Sequence, residues 1–178
     1  WLERSLGMLT ALACSDLLSM TENAAVWILH NQAPTTEARG IENVHPYYNA
    51  DHNSFTWHNG ILKPDFVAEH GEVWDTVVLS KYLNEERGSA LSQVDGSFAF
   101  VHLIDGRELY IGRNEIAPMF VDYNGGRKFY FSSVALSESY HPLQSGLKNH
   151  LDTGSGLLLC YGDDEFTTHQ MPYYIGDE

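Results

Sequence analysis

Residues 97–132 read SFAFVHLIDGRELYIGRNEIAPMFVDYNGGRKFYFS, and this stretch decides the fold class. Two runs rich in Phe, Val, Ile, Leu and Tyr, 97–104 and 108–112, flank Asp105-Gly106. Two more, 117–122 and 127–132, flank Asn124-Gly125. Aromatic and β-branched residues suit a pleated, half-buried surface. Asp-Gly and Asn-Gly supply the two successive positive φ angles that tight hairpins need. The stretch therefore predicts four antiparallel strands in a meander. Residues 156–161 and 165–171 predict a last strand pair, and 134–140 a short helix between.

Upstream of the meander, the spacing changes to that of helices. Residues 75–87, DTVVLSKYLNEER, carry Val78, Leu79, Tyr82 and Leu83 on one face. Asp75 suits the N-cap, Trp74 and Leu79 a hydrophobic staple, and Gly88 the position just past the end. Leu6, Leu9, Ala13, Leu17 and Met20 predict a further helix starting near Met8. Residues 24–30, AAVWILH, read as a buried strand, and 31–52, with Pro34, Gly40 and Pro46, as a long loop. In 54–63, SFTWHNGILK, Asn59-Gly60 reads as the type I′ turn of a hairpin. Helices packed on largely antiparallel sheets make an α+β domain. No linker composition or internal repeat divides it, so residues 1–178 read as a single domain.

Composition narrows the function. With 43% hydrophobic and 12% aromatic residues, the chain can build a core and is not intrinsically disordered. Ten Lys+Arg against 24 Asp+Glu give a net charge of −14, without the basic footprint that nucleic acid or an anionic membrane requires. Partners with basic surfaces fit better. Two cysteines, Cys14 and Cys160, cannot form a disulfide framework or a four-cysteine zinc site. Each reads as a small, core or subsurface residue. No apolar run reaches the ~20 residues of a membrane span. The expectation is a cytoplasmic protein, or a component of a soluble assembly such as a virion.

A series of short motifs runs through this framework: HNQAPTTEARGIENVHPY at 30–47, WHNGIL at 57–62, WDT at 74–76, DGSFAF at 95–100, IGRNEIAPMF at 111–120 and FYFSS at 129–133. In order and spacing it resembles the glutaminase domain of class II glutamine amidotransferases, which are N-terminal-nucleophile (Ntn) hydrolases. The resemblance spans about residues 24–135. It implies an αββα sandwich, no cofactor, and hydrolysis of glutamine to glutamate and ammonia by an N-terminal cysteine whose own amino group is the base. It makes Asn59 (side-chain amide) and Gly60 (backbone N–H) the oxyanion donors. It makes Asp75 the partner of the substrate ammonium, and it puts Gln32 and Thr35 at the carboxylate end. The ammonia acceptor would be another protein.

Three departures bear on that implication. The chain opens on Trp1, which has no group to attack an amide, so the cysteine and the first strands are expected ahead of it. Cys14 and Cys160 are internal and lack the free amino group an Ntn base requires. Gln32 stands where the family has an arginine, and an uncharged amide cannot reproduce a bidentate guanidinium grip. Arg39, seven residues on, is the nearest cation in sequence. The family's Asp-Thr-Glu reads Asp75-Thr76-Val77. A rival reading groups His45, His52, His58 and Asp51 as metal ligands, but their spacing matches no ligand motif and no metal is expected. Outside the resemblance, Asn59-Gly60 reads simply as a turn and Asp75 simply as a helix cap. The functional alternatives are a glutaminase, an Ntn-fold module that has lost catalysis and serves in assembly, and an amidase for another amide.

Overall fold

The computed structural model describes residues 24, 26–33, 40–86, 89–124, 128–136, 151–152, 155–161 and 166–172. Among the described residues, eight strands and two α-helices follow in order: β1 (Tyr47–Asn49), β2 (Ser54–Leu62), α1 (Pro64–Glu69), α2 (Asp75–Glu86), β3 (Gly96–Ile104), β4 (Glu108–Arg113), β5 (Phe120–Asn124), β6 (Lys128–Ser132), β7 (Ser155–Tyr161) and β8 (Phe166–Pro172). Short 3-10 turns lie at Ile41–Asn43 and Ser89–Gln93. The α+β class is thus observed, with antiparallel sheets. Among the described residues no helix is long and apolar enough to cross a membrane.

The strands form two sheets. One has six strands in the order β1-β2-β3-β4-β7-β8, and the other is the β5-β6 hairpin. Every pairing is antiparallel. The β3–β4 hairpin turns as its sequence predicts: Asp105 and Gly106 have φ of 50° and 65°, and Arg107 N–H donates to Ile104 O at 3.0 Å. The continuous meander does not occur. After β4 the chain leaves the large sheet, makes β5-β6 in the second, and returns with β7 beside β4. Arg113 secures this departure, donating through its guanidinium to the carbonyls of Leu151, Asn114 and Ala117. Turn dipeptides specify which strands are joined, but not which sheet receives them.

The large sheet is covered on both faces, which the alternation along β3 makes plain. Phe98 and Phe100 face one core with Leu62, Val78, Leu79, Leu83 and Tyr110. Ala99 and Val101 face another with Leu109, Ile111, Met119 and Leu159, against Val121, Phe129 and Phe131 of the hairpin. The result is three layers: helices, six-stranded sheet, two-stranded sheet. Val78 and Leu79 of α2 are both 0% exposed, as the helical spacing predicts. His70, at the end of α1, donates from Nδ1 to Phe66 O and turns Nε2 to the Tyr82 hydroxyl at 3.1 Å, tying α1 to α2.

Four further expectations are corrected. Residues 54–63 are not a hairpin: β2 is one nine-residue strand, paired along its length with β3, and Asn59 and Gly60 lie within it opposite Ala99 and Phe98. The long-range partner overrides the local turn preference. Residues 26–30 belong to no strand. Val26 and Ile28 pack on the second core while Trp27 and Leu29 are 47% and 56% exposed, so the run covers a sheet from one side only. The long loop 31–52 contains the turn Ile41–Asn43 and the edge strand β1. Residues 134–136 are not helical. The helix predicted near Met8, Cys14, Thr35, Arg39 and Gly88 lie outside the described residues, as do 137–140.

Candidate functional site

β2 owes its geometry to its ladder with β3. At one end Asp105 N–H donates to Asn53 O, and at the other Lys63 N–H donates to Asp95 O. In an antiparallel ladder the bonded pairs alternate. Odd-numbered residues of β2 therefore exchange bonds with β3, while His58, Gly60 and Leu62 point their N–H groups away from it. β1 occupies that side only opposite Ser54 to Thr56. From His58 onward β2 is an edge among the described residues. Leu62 N–H is taken by Asp75 Oδ2 at 3.3 Å. Gly60 N–H points to the uncovered side.

Glycine is required at that position. Gly60 has φ +147°, and a Cβ there would lie 2.1 Å from Ser97 O and 2.9 Å from His58 Nε2. Asn114 braces the facing strand: its Oδ1 accepts from Phe98 N–H and its Nδ2 donates to Gly96 O. The close approach of β2 and β3 is thus held from both sides.

Asn59 projects to the face opposite the helices. There a cavity of about 140 Å³ lies between the two sheets. Trp57, Asn59, Ala99 and Val101 form its floor, Met119, Phe131, Ser132 and Ser133 its far wall, and Ile28, Leu29 and His30 its near wall. It opens where Leu29 and Ser133 are exposed. No side chain among the described residues bonds the Asn59 amide. Asn59 thus lines the cavity, while Gly60, next to it in the strand, does not, its N–H lying along the strand edge.

Asp75 does not line this cavity. It is 3% exposed, beneath the helix face of β2. Its Oδ2 stands 3.6 Å from His58 Nδ1, and His58 Nε2 faces Ser97 O at 3.2 Å. Burial alone would raise the Asp75 pKa; the nearby His58 ring, with the N–H groups of Leu62 and Thr76, outweighs burial and holds it below the usual carboxylate value. Asp75 thus braces the open edge of β2 from below, and its side chain is aimed at the strand.

Gln32 is also engaged within the protein. Its Oε1 accepts from His45 N–H at 3.1 Å and from His45 Nδ1 at 2.6 Å, and its Nε2 donates to Asn43 O. His45 Nε2 meets Thr76 Oγ1 at 2.9 Å. A polar chain therefore runs Gln32–His45–Thr76–Asp75–His58. His30 lies across it, its ring 4.3 Å from that of His45. Burial first, and the nearby His58 second, push the His30 pKa down to about 4, so the ring is neutral at physiological pH.

The structure brings Asn59 and Gly60 together and sets Asp75 and Gln32 apart from the cavity. Of the histidine grouping, His45 and His58 serve the polar chain and His52 is exposed in the β1–β2 turn. Among the described residues no group of His, Cys, Asp and Glu is arranged to hold a metal ion. Sequence reasoning gave no site role to His30, Trp57, Met119 or Phe131. All four stand in the motif series itself, and strand alternation from Asn59 would have found Trp57. No family model matches the chain, and no curated protein matches it.

Proposed function

We propose that this chain is the amide-binding part of an Ntn-type hydrolase that releases ammonia from a terminal carboxamide, glutamine being the substrate that the motif series implies. The observation that carries this reading is the Asn59 amide, which no side chain among the described residues bonds, in a cavity between two sheets and next in sequence to the outward Gly60 N–H. The three-layer arrangement supports it, since it accommodates three of the four layers of an αββα sandwich. In the reaction a cysteine thiolate attacks the carboxamide carbon. The oxygen takes up charge between Asn59 and Gly60, and the carbon–nitrogen bond breaks to release ammonia. Water then hydrolyses the thioester, giving a carboxylate and the free thiol. The reading requires that cysteine to precede Trp1 in the protein as made.

Intact-mass and N-terminal analysis of the full gene product tests the nucleophile: a mature N-terminal cysteine is expected, and its absence ends the catalytic reading. With glutamine as substrate, Asn59→Ala should lower kcat by ~10²–10³. An unchanged kcat would remove Asn59 from the mechanism.

A second reading has one observation in its favour. Gln32 and Asp75, the residues aligned with the family's amino-acid grip, are both committed to contacts within the protein. An Ntn-fold module without glutaminase activity would show this, and its charge of −14 suits assembly with a basic partner. The same turnover measurement separates the two.

A further inference from the structure

The cavity beside Asn59 has a character that glutamine does not match. Among the described residues that line it, none is Asp, Glu, Lys or Arg. His30 is neutral at physiological pH, its pKa being near 4 from burial and then from His58. His58 turns its two nitrogens to Asp75 and Ser97 O. The walls are Trp57, Val101, Met119 and Phe131. An amino acid's ammonium and carboxylate would meet no opposite charge among these described residues, and whatever part of them entered the cleft would lose water uncompensated. A neutral amide with an apolar tail would lose little and bury its tail. At about 140 Å³ the cleft has room for a small organic group.

Resting on the amide-hydrolase reading above, we infer that the site takes primary carboxamides with a small apolar or aromatic acyl group in preference to free glutamine. Asn59 addresses the amide oxygen, and the wall of Trp57, Met119 and Phe131 addresses the tail. The remaining lining polar groups, the Ser132 and Ser133 hydroxyls, carry no charge and suit the amide nitrogen.

Butyramide and L-glutamine make the discriminating pair, since glutamine is butyramide with an α-amino group and a carboxylate added. The full chain, labelled with ¹⁵N, is titrated with butyramide, benzamide and L-glutamine while the Asn59 side-chain and Gly60 backbone resonances are followed. Butyramide and benzamide are expected to shift both signals with a Kd at least about tenfold below that of glutamine. Asn59→Ala and the isosteric Asn59→Asp are expected to lose most of the response while keeping a folded spectrum. Glutamine binding as tightly as butyramide, or more tightly, overturns the substrate class and leaves the amide-hydrolase reading standing. Failure of all three amides to shift these signals overturns both.

Discussion

Replacing Asp75 by Asn tests the way β2 is held. The substitution keeps the shape and one acceptor but removes the charge. Asp75 is 3% exposed, accepts Leu62 N–H at 3.3 Å, and faces His58 Nδ1 at 3.6 Å. A hydrogen bond to a charged group contributes about 1.5–3 kcal/mol. The His58 contact is longer than a hydrogen bond and Asn still accepts from Leu62, so the expected loss is about 2–3 kcal/mol. In a domain of this size that lowers Tm by about 4–12 °C. The loss should depend on pH. The folded-state pKa of Asp75 lies below the ordinary aspartate value, because His58 and two backbone N–H groups outweigh the effect of burial. The carboxylate's contribution is then complete above about pH 5 and fades as pH falls through the folded pKa. Urea denaturation of both forms at pH 7 and in stepwise acid reads both effects. Equal stability at pH 7, or a gap that stays constant into acid, would refute the argument that the carboxylate clamps the strand.

Two other substitutions probe the same region and the core beneath it. Gly60→Ala meets Ser97 O and adopts φ +147°, so a destabilisation of about 3 kcal/mol or more is expected. Gly71→Ala, at φ +70° with open space around it, should cost only about 1 kcal/mol, and thermal melts of the pair separate crowding from backbone strain. His102 is fully buried, with its pKa pushed down to about 4 by burial and then by His52. It stays neutral in the fold while the unfolded chain takes up a proton below about pH 6.5, so stability should fall by up to about 3 kcal/mol between pH 6.5 and 4. His102→Gln should flatten that part of the urea-midpoint profile, and identical profiles for the two proteins would exclude the assignment.

The parts of this fold that were legible in the sequence are those whose signal is local. The paired runs around Asp105-Gly106 became β3 and β4, and 156–161 with 165–171 became β7 and β8. Each needs only alternation and a short connection. Helix α2 was legible because Val78, Leu79 and Leu83 repeat at helical spacing and all reach the core. The failures all involve partners distant in sequence. Asn59-Gly60 is a strong turn dipeptide, yet the strand that pairs with it begins at Gly96 and keeps it extended. The run at 26–30 is apolar throughout, and nothing in its composition distinguishes a strand buried on both faces from a strip covering one. Asp75 reads as a helix cap because capping is the commoner local use, but its carboxylate is claimed by Leu62 and His58 across the layer.

The correction at Asn59-Gly60 changes the physical setting of the pair that the proposed chemistry would use. At a hairpin tip both donors would face water and move with the turn, so any charge they met would be screened and the pair would have to reorganise. In β2 they are fixed by nine residues of ladder. The close contact with Ser97 fixes the Gly60 backbone, and Asp75 occupies the neighbouring edge N–H at Leu62, so the first donor free beyond it along the strand is that of Gly60. Donors held in place before a charge arrives cost no rearrangement when it forms, which is what the proposed pair would require. The same packing that makes glycine obligatory at residue 60 therefore aims its N–H, and the sequence requirement and the site geometry have one physical origin.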